Sequence, residues 1–195
     1  QAKIKNVVSD FNGIASALYG YQDRYRALPG DDLGALNRWT LSQCNAAETA
    51  GNGIVEGLYN NASGAPQETN CFWQDLRNAG FVAGQGIGQA SQTQPTNAAS
   101  GMIGVQTGDG AGGAVMAGTG GGFASLMMCS TGLPDKIAIA VDVQMDDGVN
   151  FSGTMRAQSQ TAPNPTLKAA VTTTSGTADF YAETGSNVYT LCKTM

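Results

Sequence analysis

Histidine is absent from all 195 residues. That absence removes Ser-His-Asp and Cys-His nucleophile systems, His-bound hydrolytic metals and imidazole general bases from consideration. Basic residues are scarce: ten Lys and Arg stand against fifteen Asp and Glu, for a net charge of −5 and an isoelectric point near 4.5. Such a chain has no positive stripe to follow a phosphate backbone, and no nucleic-acid partner is expected. No apolar run approaches the roughly 18 residues of a membrane-crossing helix, and no signal-peptide core is visible. No Cys-x-x-Cys pair occurs, which disfavours zinc ribbons and thioredoxin-type redox motifs.

What is abundant is glycine, 27 residues of it, with Ala, Ser, Thr and Asn, while only 13% of the chain is charged. This composition suits an exported, loop-rich protein of one domain. The four cysteines, Cys44, Cys71, Cys129 and Cys192, lie far apart, and two disulfides in an oxidising compartment are their simplest use. Of three connectivities, Cys44–Cys71 with Cys129–Cys192 is expected, because each bridge then closes a loop within one part of the chain.

The strongest periodic signal is at the start. Ile4, Val7, Phe11, Ile14, Leu18, Tyr21, Tyr25 and Leu28 recur at alternating spacings of three and four, a heptad seam on one helix of roughly 40 Å. The pattern predicts a helix over residues 1–28, ended by Leu28-Pro29-Gly30, and a loop-rich head over 29–195. The seam begins without a capping residue, so the helix is expected to continue upstream. A coiled coil is disfavoured by Ser, Asn, Gly and Ala at the flanking positions and by Gly13 and Gly20, each ~1 kcal/mol worse than Ala in a helix. The seam is expected to pack on the protein's own sheet from Phe11 onward, leaving Ile4 and Val7 exposed.

A short helical turn is expected around residues 33–41 and a second full helix over 68–79, with Phe72, Trp73 and Leu76 docking on the first. Short strands are expected at 102–107, 114–117 and 123–130. Residues 135–145 fit a strand through Ile137, Ile139, Val141 and Val143, and equally a helix through Ile137, Val141 and Met145. A hairpin is expected in the tail, 178–183 with 187–193 around Gly185. The fold class is therefore α+β: a long N-terminal helix on a small antiparallel sheet with long Gly-rich loops.

Several segments then align with a known pattern. Ala17-Leu18-Tyr19-Gly20-Tyr21-Gln22-Asp23-Arg24-Tyr25-Arg26-Ala27-Leu28-Pro29-Gly30-Asp31-Asp32 resembles the helix exit of type IV pilin-like proteins and pseudopilins. Gly51-Asn52-Gly53, then Phe72-Trp73-Gln74-Asp75-Leu76-Arg77-Asn78-Ala79-Gly80, then Met145-Asp146-Asp147-Gly148 ahead of Gly153 and Arg156, follow in the family's order. The Gly-rich stretch 84–122 has no counterpart in that pattern. The resemblance implies a subunit of an extracytoplasmic type IV pilus or type II secretion pseudopilus. Its partners would be copies of itself or related subunits, and an upstream hydrophobic helix half would hold it in the inner membrane before assembly. It would lie at the cell surface or in a periplasmic pseudopilus, without enzymatic activity. A minor or tip pilin, or a secreted adhesin-type binding module, is the alternative. Ile4, Val7, Phe11, Gly13, Ala17 and Gly20 are the expected assembly residues, the small ones admitting a neighbouring helix.

Three further motifs have competing readings. Gly108-Asp109-Gly110-Ala111-Gly112-Gly113 matches G-x-G-x-x-G, but Gly118 and Gly120 to Gly122 exclude the helix N-terminus that a phosphate needs. Asp31/Asp32 and Asp146/Asp147 are the only clustered acids to nominate for a carboxylate hydrolase, whereas paired Asp beside Gly is ordinarily turn chemistry. Asp142, Asp146 and Asp147, with carbonyls of residues 149–151, offer a hard-oxygen set suited to calcium, which some pseudopilins carry in their C-terminal loop; the competing reading is a plain turn.

Overall fold

The computed structural model describes residues 1–39, 51–63, 67–169 and 180–195. Among the described residues, four α-helices and four strands follow in the order α1 (Ala2–Tyr25), α2 (Ala35–Arg38), α3 (Glu68–Asn78), β1 (Ile103–Thr107), β2 (Leu126–Pro134), α4 (Asp135–Met145), β3 (Met155–Ser159) and β4 (Val188–Thr194), with a 3₁₀ turn at Gln89–Gln92 between α3 and β1. The strands form one antiparallel sheet in the order β1-β2-β4-β3.

The first helix is continuous but ends three residues earlier than the seam suggested. Arg26 turns left-handed at φ 58° and its N–H closes on the Gln22 carbonyl at 2.8 Å, a cap that releases the chain before Pro29 would have to. One side of the sheet, with Val105, Met128, Met155 and Leu191, packs with Val7, Phe11, Ile14, Leu18 and Tyr21 of α1, Phe72, Trp73 and Leu76 of α3, and Ala138 and Val141 of α4 in a single core. Val7 is fully buried and Ile4 half-buried against this core. The expectation that both stand clear is thus corrected: α4 lies along α1 and extends the core toward the N-terminus.

Residues 135–145 are helical because Asp135 follows Pro134 at a strand end and the positions 138, 141, 142 and 145 then share one inward stripe, leaving Val143 exposed at 62%. The expected hairpin of the tail does not form within the described residues. β4 instead inserts between β2 and β3. Residues 180–187 carry no strand and are pinned by side chains: Asp135 accepts the N–H groups of Thr184 (2.8 Å) and Gly185 (2.6 Å), and the Tyr189 hydroxyl accepts that of Ala182 (2.9 Å). Residues 178 and 179 lie outside the described set.

Cys129 and Cys192 are directly opposed on β2 and β4 and form a disulfide. Cys71 is also disulfide-bonded; Cys44, its expected partner, lies outside the described residues. The bridge Cys129–Cys192 sits on the second face of the sheet with Tyr59, Val115, Met116, Phe123 and Met127. The Gly-rich segment 108–123 covers this face, and Arg156 of β3 fastens it. Its guanidinium is buried, stacks 4.3 Å over Phe123, and donates to the carbonyls of Met116 (2.8 Å), Thr119 (3.1 Å) and Gly121. Only Val115 of the expected strand 114–117 pairs, as isolated bridges to Phe123 and Ala169. The G-x-G-x-x-G segment is a turn closed by Asp109, which accepts the N–H groups of Ala111 (3.0 Å) and Gly113 (2.8 Å), and no helix follows it.

Candidate functional site

Three of the four aligned segments meet where α1 ends. Gly30 takes φ 88°, and a Cβ there would collide with the Glu68 carbonyl, so the turn admits no side chain. Its N–H donates to Asp75 at 2.7 Å. Asp31 accepts the N–H groups of Asn52 (3.1 Å) and Gly53 (2.7 Å). Asp32 accepts the Tyr21 hydroxyl at 2.6 Å, the Gly34 N–H at 2.8 Å and the Arg38 guanidinium. All three carboxylates are buried. Leu28-Pro29-Gly30-Asp31, Gly51-Asn52-Gly53 and the Asp of Phe72-Trp73-Gln74-Asp75 are thereby one hydrogen-bonded junction.

Asp75 is the electrostatically exposed member of that junction. Burial pushes its carboxyl up to about 7; the Gly30 N–H opposes this, the Asp32 charge adds to it, and Arg38 opposes it weakly. Its Oδ1 is buried without a hydrogen-bond partner. Burial, followed by the charges of Asp75 and Asp32, also raises the Tyr21 phenol far above its ordinary value. The acids at 31 and 32, nominated for hydrolysis, are anchors for backbone donors and for Tyr21 and Arg38. Both carboxylates are buried and held by donors of their own chain.

The second acidic cluster lies at the end of α4. One carboxylate oxygen each from Asp142, Asp146 and Asp147 lies within 4.8 Å of the others, as the sequence suggested. Asp142 accepts the Tyr181 hydroxyl at 2.6 Å and the Gly148 N–H at 3.3 Å; Asp146 accepts the Met155 N–H at 2.7 Å; Asp147 accepts the Val149 N–H at 2.9 Å and the Ser152 hydroxyl. Burial raises the Asp142 carboxyl above its usual range, the Tyr181 and Gly148 donors oppose this, and Asp147 and Asp146 add to it. Asp147 is held below its range by Ser152 and then Val149. The carbonyls named for calcium accept backbone donors too: Val149 from Ser152, Asn150 from Ala157, and Phe151 from Thr119. Three converging carboxylates match part of a calcium shell, but a cation would share both oxygens of Asp142 and of Asp147 and one of Asp146 with protein donors. The hydrogen bonds alone account for the loop's shape.

The expected assembly residues separate into three environments. Val7, Phe11 and Ala17 are buried in the core and Ile4 half-buried on it. Val7, Phe11 and Ala17 therefore offer no outer contact surface, whereas Ile4 keeps part of its side chain exposed. Gly20 lies under the Phe81 ring, which a Cβ would approach to 2.8 Å. Gly13 alone is open, with nothing within 4 Å of a Cβ built there. It belongs to the outward face of α1, with Lys5, Ser9, Asn12 and Ser16, beside Gln144 of α4 along a groove of about 470 Å³. Asp23 and Arg24 are exposed as expected, whereas Asp10 is half-buried and its carboxyl is raised by that burial.

Sequence reasoning did not single out Asp75, Tyr181 or Ser152. For Asp75 a signal was available: it lies three residues after Phe72 and next to Leu76, inside the apolar stripe of its helix. Tyr181 and Ser152 reach their carboxylates from segments without periodicity. No protein-family model, no curated protein and no solved structure matches this chain.

Proposed function

We propose that the chain is a structural subunit of an extracytoplasmic pilus-like or pseudopilus-like filament, assembling with copies of itself or related subunits through α1 and presenting the sheet domain outward. The observation that carries this reading is the junction at the end of α1. The helix exit, the Gly51-Asn52-Gly53 turn and α3 are joined by Gly30–Asp75 and Asp31–Asn52/Gly53 bonds, so segments that resemble the family in order also depend on one another physically. A long helix fixed rigidly to a head domain at such a joint is what a helical filament requires of its repeat unit.

Because the heptad seam is consumed by the domain's own core, the contact face is the opposite one. It carries Lys5, Ser9, Asn12, Gly13 and Ser16, residues short or flexible enough for another helix to approach closely. Negative-stain electron microscopy of the full-length gene product tests the reading. Filaments are expected from the natural chain, and their absence under conditions where the protein is produced and folded overturns it. The Gly13→Leu variant is expected to keep or slightly raise its melting temperature and lose filaments; filaments of normal length and number would show that this face is not the contact.

A further inference from the structure

A second concavity, of about 340 Å³, opens where the start of β1 meets the bulge of β2, and none of the twelve residues lining it is charged. We infer that it is a binding site for a neutral saccharide, independent of whether the chain builds filaments. Its volume is at the lower end of small-molecule sites, ~300–1,000 Å³.

Two side-chain amides define its chemistry. Gln160 Oε1 accepts the Gly132 N–H at 2.9 Å and the Thr190 hydroxyl at 3.2 Å. A backbone N–H can only donate, so the oxygen end of Gln160 is fixed on the protein and its NH₂ is the free end. Asn164 Oδ1 accepts the Thr131 hydroxyl at 2.6 Å, a length that fits O–H···O rather than N–H···O and is far shorter than the 3.3 Å from that hydroxyl to the competing Met102 carbonyl; Thr131 in turn accepts the Met102 N–H. Neither amide nitrogen has a hydrogen-bond partner among the described residues. Two donors are therefore held in place by groups that occupy their own acceptors, with the Ser100 and Thr96 hydroxyls also lining the site.

The backbone points the same way. Of the four non-glycine residues with positive φ among the described residues, two line this concavity: Ser100 at 66° and Asn164 at 46°. Left-handed backbone costs Ser100 about 1–2 kcal/mol, whereas Asn tolerates it; strain of this kind gathers at ligand sites. Asn164 is held there by Thr131 and by Asn60, whose amide donates to its carbonyl at 2.8 Å.

The missing charge selects the ligand class. An ionised phosphate, carboxylate or ammonium group would lose hydration here without a countercharge. An aliphatic ligand would cover two NH₂ groups and leave them unpaired, at ~1–3 kcal/mol each. A pyranose supplies neutral acceptor oxygens for both amides and C–H faces for Met102, Pro95 and Pro163.

The test is ¹H–¹⁵N NMR titration of the chain with glucose, galactose, mannose and N-acetylglucosamine, with glucuronate and end-blocked trialanine as contrasting probes. At least one neutral sugar is expected to shift the amides of Ser100, Gly101, Gly132 and Asn164 in a saturable way. Gln160→Glu and Asn164→Asp keep the anchored oxygen and remove the donor; each is expected to weaken that binding about tenfold, the equivalent of ~1.4 kcal/mol, with melting unchanged. Absence of shifts with all four sugars, shifts confined to another surface, equal binding of glucuronate, or a response to trialanine alone would each overturn the assignment. Localisation on the natural chain decides the matter even if neither variant folds.

Discussion

Replacing Asp75 by Asn isolates one titration at the joint between α1 and α3. The folded-state carboxyl sits at about 7 against an ordinary 3.8, so protonation favours the folded chain. Stability from this group is fully present below about pH 4, falls as pH rises through the interval to about 7, and is lost above it. At ~1.36 kcal/mol per pH unit the interval corresponds to ~4 kcal/mol, a large part of the 5–15 kcal/mol typical of a domain. Asn is neutral throughout and retains an oxygen for the Gly30 N–H. The natural chain is therefore expected to lose several kcal/mol between about pH 4 and pH 8 that Asp75→Asn does not lose. Urea unfolding followed by tryptophan fluorescence reads this directly, since Trp73 is fully buried in α3 two residues away; midpoints should separate with pH while slopes with urea stay equal. Asp142 and Asp10, also raised by burial, contribute to both curves and cancel in the difference. Parallel curves across this window would refute the assignment of the titration to Asp75.

Gly20→Leu must push aside the exposed Phe81 ring, which offsets its gain in helix propensity, so it is expected to be less stable than Gly13→Leu, which is expected to be neutral or to stabilise by up to ~1 kcal/mol; thermal melts of the two variants compare them. Non-reducing peptide mapping should keep the Cys129 and Cys192 peptides joined, with reduction costing ~2–5 kcal/mol per bridge; a Cys44–Cys129 peptide would contradict the pairing. Because protein donors already engage each of the carboxylates of Asp142, Asp146 and Asp147, treatment with a chelator is expected to leave the melting temperature unchanged. A rise on adding millimolar calcium, abolished by Asp146→Asn, would instead establish a cation site.

The elements legible in the sequence were those whose pattern was local. The α1 seam, the apolar stripe of α3 and the alternating Ile103 and Val105 of β1 each state their own burial. The opposition of Cys129 and Cys192 was legible through chemistry. What failed depended on partners distant in the chain. Met155-Arg156-Ala157-Gln158-Ser159 alternates apolar with polar, as a strand with one wet face would, yet Arg156 and Gln158 are buried because the 114–123 and 166–168 segments cover that face. The tail was misjudged for a similar reason: the turn around Gly185 exists, but Asp135 of α4 holds it and β4 finds its ladders on β2 and β3. Val7 was expected outside because nothing near it in sequence announces that α4 will lie against it. The Asp142–Asp147 cluster was readable as a cluster; its occupation by Tyr181 and Ser152 was not.

Arg156 leaves a consequence for how freely this protein can be rewritten. It grips the loop by the carbonyls of Met116, Thr119 and Gly121, groups that every amino acid carries. Those hydrogen bonds do not read the side chains of the loop's exposed positions, Ala117 and Thr119 among them, which can be exchanged for new surface chemistry without loosening the attachment. The hold comes from Arg156 together with the buried Val115, Met116 and Phe123: a new epitope or tag can be engineered into the strap, provided that the arginine and these three anchors are left alone.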